Sequence, residues 1–295
     1  MVRKRSVLFY IVLCSLLTAH CSLFTISCAT LSPVDGSAES FEAVSPRWTP
    51  VLVPGLDYFA GKVSRPRIEF HALRIDLTAS NLRIVAYPGG RSRVGFFSVR
   101  VSSFVRDNDL LAGINALPFD TVSETEGEPR NNVGLVIANG EMLSPPHKSF
   151  DALVFYNDRN AAIEAQSEIK DFDNIENAVG GFYRILEHGE LVQRVLNLSD
   201  RHPRSAAGIS PDGKFLYLLV VDGRQIRSIG STEAETALLL KALGASDAVN
   251  FDGGGSSALA LRYPDNTVRV VNTPIHGNIP GRERAVAGCL GIGTK

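Results

Sequence analysis

The 295-residue chain has no excess of charge of one sign, with 30 basic against 31 acidic residues and a formal net charge of -1. A general binder of nucleic acid or of anionic membrane carries a strong basic excess, so neither class fits, and any recognition of an anion must be local. Cysteine is scarce. Cys14, Cys21 and Cys28 stand near the N-terminus and only Cys289 lies further on, which argues against a disulfide framework. No cysteine and histidine cluster has zinc spacing, and no apolar run reaches the roughly 18 residues of a spanning helix.

The longest apolar run, Val7 to about Ala19, follows Arg3, Lys4 and Arg5. That is the pattern of a secretory leader. Residues 1–28 read as a signal peptide or lipoprotein leader. Cys28, with Thr25 at minus three and Ser27 before it, is the lipidation candidate; ordinary cleavage between Ser22 and Ala29 is the alternative. The expectation is an exported protein of the cell envelope, periplasmic or surface, touching a membrane only through such an anchor.

Residues 29–50 are rich in Ser, Pro and Ala and read as a flexible tether. Residues 51–295 form the expected domain, with enough apolar content for a core. Ile68 to Leu77 alternates apolar and polar residues as a half-buried strand does, and Leu82 to Tyr87 is a second short strand. Ser98 to Asp109 carries a helical stripe that feeds a strand ending near Asn115, while Thr121 to Asn132 is polar and reads as a surface loop. Asn139-Gly140, His188-Gly189 and Asp212-Gly213 each separate two apolar runs, the signature of tight hairpins. The clearest helix is Glu233 to Leu243, with Thr232 and Glu235 as a capping box and Gly244 at its end. The fold class expected is α+β, with mixed, largely antiparallel sheets, few helices and a cleft lined by strand ends.

The helix delivers the chain into A-V-N-F-D-G-G-G-S-S-A-L-A, Ala248 to Ala260. Three consecutive glycines let a ligand approach the backbone closely, and Asn250, Asp252, Ser256 and Ser257 flank them. Arginines recur near strand ends in P-R-S-A-A-G-I, V-V-D-G-R and E-R-A-V-A-G-C-L. A guanidinium grips phosphate or carboxylate through two parallel hydrogen bonds, so arginines converging on glycine amides would make an anion site. Taken singly, each arginine is as well explained by a surface ion pair.

These motifs, with E-T-A-L-L-L-K-A-L-G-A between them, resemble in order and spacing the phosphodiester glycosidase family over about residues 113–293. That family includes the lysosomal uncovering enzyme, which removes N-acetylglucosamine from phosphodiester-linked glycans, and it is widespread in bacteria. The resemblance implies a glycoside hydrolase of the phosphodiester glycosidase type, acting on a glycan or sugar-1-phosphodiester substrate. It implies roles for Asn115, Arg204, Arg224, Asn250, Gly253, Gly254, Gly255, Ser256, Ser257, Asn272 and Arg284 in holding substrate and phosphate. Asp252, Asp222 and Glu235, in that order, are the catalytic candidates. The element around Asn115 reads I-N-A-L-P-F where the family has I-N-A-G-x-F, and Ser205 replaces a threonine.

Breaking the bond from an anomeric carbon to a phosphate oxygen needs cationic donors for the phosphate and a carboxylate to activate water or to attack. Inversion and retention both stay open. Ser256 and Ser257 read as hydrogen-bond donors or caps, and His202 and His276 as isolated loop histidines. No cofactor is expected; a divalent cation is compatible with the carboxylates but not called for by them. Two other readings stand beside the first, a hydrolase of ordinary α-glycosides and a non-catalytic glycan-binding envelope protein on the same fold.

Overall fold

The run F-L-Y-L-L-V-V, Phe215–Val221, is apolar at nearly every position because the strand it forms is covered on both faces. In this computed structural model, which describes residues 38–87, 91–92, 95–122 and 125–295, the strand sits centrally in an eight-stranded sheet. The sheet order is Thr49–Val51, Val53–Val63, Ile68–Asp76, Phe215–Val221, Arg204–Ile209, Asp247–Asn250, Arg184–Glu187 and Glu190–Leu191. Side chains alternate across a strand, so Leu216, Leu218 and Val220 point to one core while Leu219 and Val221 point to another.

On the first side lies a five-stranded sheet in the order Val268–Val270, Leu259–Arg262, Ala112–Asn115, Cys289–Thr294, Leu82–Tyr87. Ile114, Leu259, Leu290 and Ile292 from it meet Leu73, Leu218, Ala207 and Val249 in one apolar cluster. On the second side, the helix Glu233–Leu243 buries Ala237, Leu239, Leu240 and Leu243 against Phe70, Ala206 and Leu219. A further five-stranded sheet, Glu141–Ser144, Val136–Ala138, Ile175–Gly180, Asp151–Tyr156 and Ala161–Ala165, adds Leu153 and Val179 to the first core. The fold is α+β with antiparallel sheets; every strand pair among the described residues in these three sheets is antiparallel.

The helix has the capping box expected: the Thr232 side chain accepts from the Glu235 amide at 3.1 Å and the Glu235 carboxylate accepts from the Thr232 amide at 2.9 Å. Gly244 closes it in the left-handed region at φ 116°. Asn139-Gly140 and His188-Gly189 have φ of 51°, 78°, 49° and 81°, as a two-residue type I′ turn needs. Asp212-Gly213 differs, since only Gly213 is left-handed, and a wider turn closes through Ser210, whose amide donates to Phe215 O at 2.9 Å.

The segment read as a tether is partly built into the fold. Ala38–Glu42 is helical, Phe41 is fully buried in the helix-side core, and Trp48 packs edge-on against Phe59 with Arg74 stacked 5.1 Å from its ring centre. A Ser- and Pro-rich composition masked two aromatic anchors. The leader, with Cys14, Cys21 and Cys28, lies outside the described residues.

Candidate active site

The apolar alternation of the central strands ends where Asp222, Pro203 and Asn250 leave the sheet. There the chain passes from the strand Asp247–Asn250 through the glycine turn to Leu259–Arg262, and so from one sheet to the other. Asn115, the last residue of its strand, pins this crossing. Its Oδ1 accepts from Ser205 Oγ at 2.7 Å and from the Ala258 amide at 3.1 Å, and its Nδ2 donates to Asp252 O at 2.6 Å. The Asp252 amide donates to Ala116 O at 2.8 Å, so both backbone groups of Asp252 are fixed. Asn115 thus positions Asp252 with all of its polar atoms engaged. The departure from the family pattern is absorbed next door, where Leu117 packs directly over Gly288.

The glycines prove necessary for close packing as well as for φ. The Gly254 amide donates to Pro203 O at 2.8 Å, so it is spent inside the protein rather than offered to a ligand. A Cβ on Gly255 would lie 2.5 Å from Arg284 Nη2, and one on Gly254, where φ is 63°, would lie 3.3 Å from Arg224 Nη2. Two guanidinium groups therefore lie against the bare turn. Arg284 donates from Nη1 to Ser256 Oγ and from Nε to His276 Nδ1, each at 3.1 Å. Arg224, itself left-handed at φ 57°, places Nη2 3.4 Å from His202 Nδ1. Among the described residues neither arginine is in an ion pair.

Asp252 stands beside them, half-buried, accepting from Ser256 and drawn toward Arg284. Burial pushes its carboxyl up to about 6, against the lowering effect of Ser256, Arg284 and the Gly253 amide. Asp222, buried, is likewise pushed up to about 6, chiefly by burial. Its Oδ1 accepts from Asn272 Nδ2 at 3.1 Å and from the Thr273 amide at 2.9 Å. Asn272 also donates to Ser257 O and accepts from the Leu259 amide, so it joins Asp222 to the glycine turn. Among the described residues, two buried polar atoms by the turn, Asn250 Oδ1 and Ser257 Oγ, have no hydrogen-bond partner, in residues 2% and 1% exposed. Buried groups of this kind are nearly always bonded, which marks both as open hydrogen-bonding capacity at the site.

Two expected members fall elsewhere. Arg204 turns away to Ser231 O at 3.1 Å, Glu233 Oε1 at 3.0 Å and Asp200 O at 3.0 Å, anchoring its strand to the helix N-terminus. Glu235 is held by the capping box and by both terminal nitrogens of Arg201. The pull of the helix N-terminus on carboxylates explains both placements, since Glu233 and Glu235 bring Arg204 and Arg201 with them. Conversely, His202 and His276 touch the two site arginines, although neither falls in a motif that would single it out. Their one signal is adjacency, to Pro203-Arg204 and to the glycine-rich loop before Arg284. Among the described residues, no group of three or more His, Cys, Asp or Glu side chains is arranged to hold a metal ion.

Three solved structures share this fold at low identity. A protein from Synechocystis matches with a TM-score of 0.65 and 12% identity, over 86% of this chain and 65% of that one. The catalytic domain of zebrafish N-acetylglucosamine-1-phosphodiester alpha-N-acetylglucosaminidase, auto-inhibited by its pro-peptide, matches with 0.63 and 19% over 85% of this chain and 87% of that one. A protein of Burkholderia pseudomallei gives 0.54 and 17% over 77% of this chain and 74% of that one. The Bacillus subtilis SPbeta prophage-derived protein YomE is 40% identical over 72 residues, 24% of this chain and only 11% of its own length. The family description "phosphodiester glycosidase" matches residues 108–293, a stretch holding every site residue named above and more than half of the chain. The chain belongs to the phosphodiester glycosidase family.

Proposed function

We propose that this protein is an exported glycosidase that hydrolyses a sugar-1-phosphodiester, or a related α-linked glycan, of an envelope or extracellular polymer. The observation that carries the reading is the pair of arginines without carboxylate partners, Arg224 and Arg284, lying on a glycine turn that begins with Asp252. Two guanidinium groups set side by side, with only Asp252 to offset their charge, suit an anion beside them, and a phosphodiester supplies one. Family membership supports a hydrolase in general.

In this scheme the phosphate lies against Arg224 and Arg284, which stabilise the charge that develops on it as the anomeric bond lengthens. Asp252, ionised, activates water or attacks the anomeric carbon. Asn250 Oδ1 and Ser257 Oγ accept from and donate to sugar hydroxyls. Asp222 holds the Asn272–Thr273 segment against the turn. The anion site weighs against an ordinary α-glycoside as substrate, and the intact Asn115 network weighs against a fold kept only for binding.

The test is release of sugar from an α-linked N-acetylglucosamine-1-phosphodiester by wild type, Asp252→Ala and Arg284→Ala. Activity in wild type and loss in both variants is expected; hydrolysis of aryl α-glycosides alone would replace the substrate class, and no release from either would remove the hydrolase. Export rests on the N-terminal leader pattern and is checked by fractionating cells that express the full chain.

A further inference from the structure

The loops that carry the two site arginines also carry two isoleucines set out in solvent. Ile226, two residues after Arg224, is 85% exposed, and Ile279, in the loop before Arg284, is 50% exposed. Single exposed apolar residues are common on any protein and mean little alone. These two differ in being fixed. The Ile226 loop is closed by Gln225 N to Ser228 O at 3.0 Å, and Ser228 Oγ bonds Asp222 O at 2.6 Å and accepts from Glu69 N at 3.0 Å. The Ile279 loop is closed by Gly281 N to Pro274 O at 2.7 Å and His276 N to Arg282 O at 3.0 Å. Gln225 Nε2 donates to Thr273 O at 2.8 Å, so the roots of the two loops touch.

The depth of the site orients the substrate. Asp252 and the unpartnered Asn250 and Ser257 atoms lie inside the turn, whereas Arg224 is exposed at its mouth. With the sugar inward and the phosphate on the arginines, the second ester oxygen of the diester faces outward, past Ile226 and Ile279. Ile226 and Ile279 are the large hydrophobic side chains exposed on those loops, standing beside the exposed Arg227 and Asn278.

We propose that the phosphodiester taken by this site carries an apolar alcohol, a hydrocarbon chain that lies across Ile226 and Ile279. The inference rests on the phosphodiester reading and names its substrate class. It is tested with two α-N-acetylglucosamine-1-phosphodiesters, one of methanol and one of octanol, the latter kept below its micelle concentration and without membranes. Wild type is expected to prefer the octyl diester by about tenfold in kcat/KM, the ratio that burial of about two methylenes supplies. The double variant Ile226→Ser/Ile279→Ser is expected to bring that ratio near one while holding the methyl diester within about twofold, as surface substitutions leave the fold intact.

A ratio near one in wild type, or one unchanged in the double variant, overturns the proposal. Calorimetric binding of octyl phosphate against methyl phosphate gives a second readout free of catalysis, with tighter octyl binding expected in wild type and lost in the double variant. If neither diester is hydrolysed, the hydrolase reading falls and this binding comparison alone decides the apolar contact. Isoleucine-dependent sedimentation with anionic vesicles, without an octyl preference, would assign the pair to a membrane surface and overturn the substrate proposal.

Discussion

Asp252 and Arg224 each carry a cost that the site explains. Burial raises Asp252 from the ordinary 3.8 to about 6, so the folded protein favours its protonated form. A carboxyl raised in this way contributes stability that is full below 3.8 and lost as pH rises through about 6. Asp252→Asn is therefore expected to melt above wild type at pH 8 and to match it near pH 4, while hydrolysis is lost. With Asp252 in its proposed role, kcat/KM of wild type is expected to climb through pH of about 6 to a plateau as the carboxylate ionises. A rate flat across that range would remove Asp252 from the chemistry. Arg224 sits at φ 57°, where a side chain is strained. Arg224→Gly should be more stable than Arg224→Ala by roughly 1 kcal/mol, with both losing about 100-fold or more in kcat/KM. Equal melting temperatures for the two variants would show that the backbone there is unstrained.

At the scale of elements, the helix Glu233–Leu243 was legible to the residue because its signals are local: a capping box, an apolar stripe and a terminal glycine. The same locality made its end misleading for function. Glu235 carries a family motif, yet its carboxylate caps the helix and pairs with Arg201, and Arg204 is drawn to Glu233 rather than to the glycine turn. Thr232→Ala should cost about 1 kcal/mol of stability and leave kcat near wild type. Glu235→Gln should do the same, with a lower melting temperature and retained turnover; full-strength stability with lost turnover would return Glu235 to the catalytic set. Strands and hairpins were read correctly wherever turn chemistry was local, as at Asn139-Gly140. The structured Ala38–Glu42 was missed because its order comes from Phe41 reaching a core built by residues far along the chain.

Across the whole molecule, the site lies on the seam between two sheets, and which strands meet there has no mark in the sequence. Phe215–Val221 pairs with Ile68–Asp76 and with Arg204–Ile209, and the order of strands follows from packing both faces of one apolar ribbon. The motif residues could be named in advance, but their division into those that gather at the glycine turn and those that hold the scaffold could not. That division depends on which hydrogen-bond partner each side chain reaches in three dimensions. Asn115 is the clearest case. It belongs to one sheet, accepts from Ser205 in the other, and holds both ends of the glycine turn at Asp252 and Ala258. Asn115→Ala would leave a buried hydroxyl, amide and carbonyl without partners, a loss on the order of 2–4 kcal/mol. Because the Asp252 carbonyl is then released, kcat should fall with stability, whereas a loosening of the sheets elsewhere, as in Leu218→Ala, should lower the melting temperature and spare kcat at temperatures where the protein is folded. A fully active Asn115→Ala protein would mean that the turn keeps its geometry without the seam, and that the two sheets do not position Asp252 through this residue.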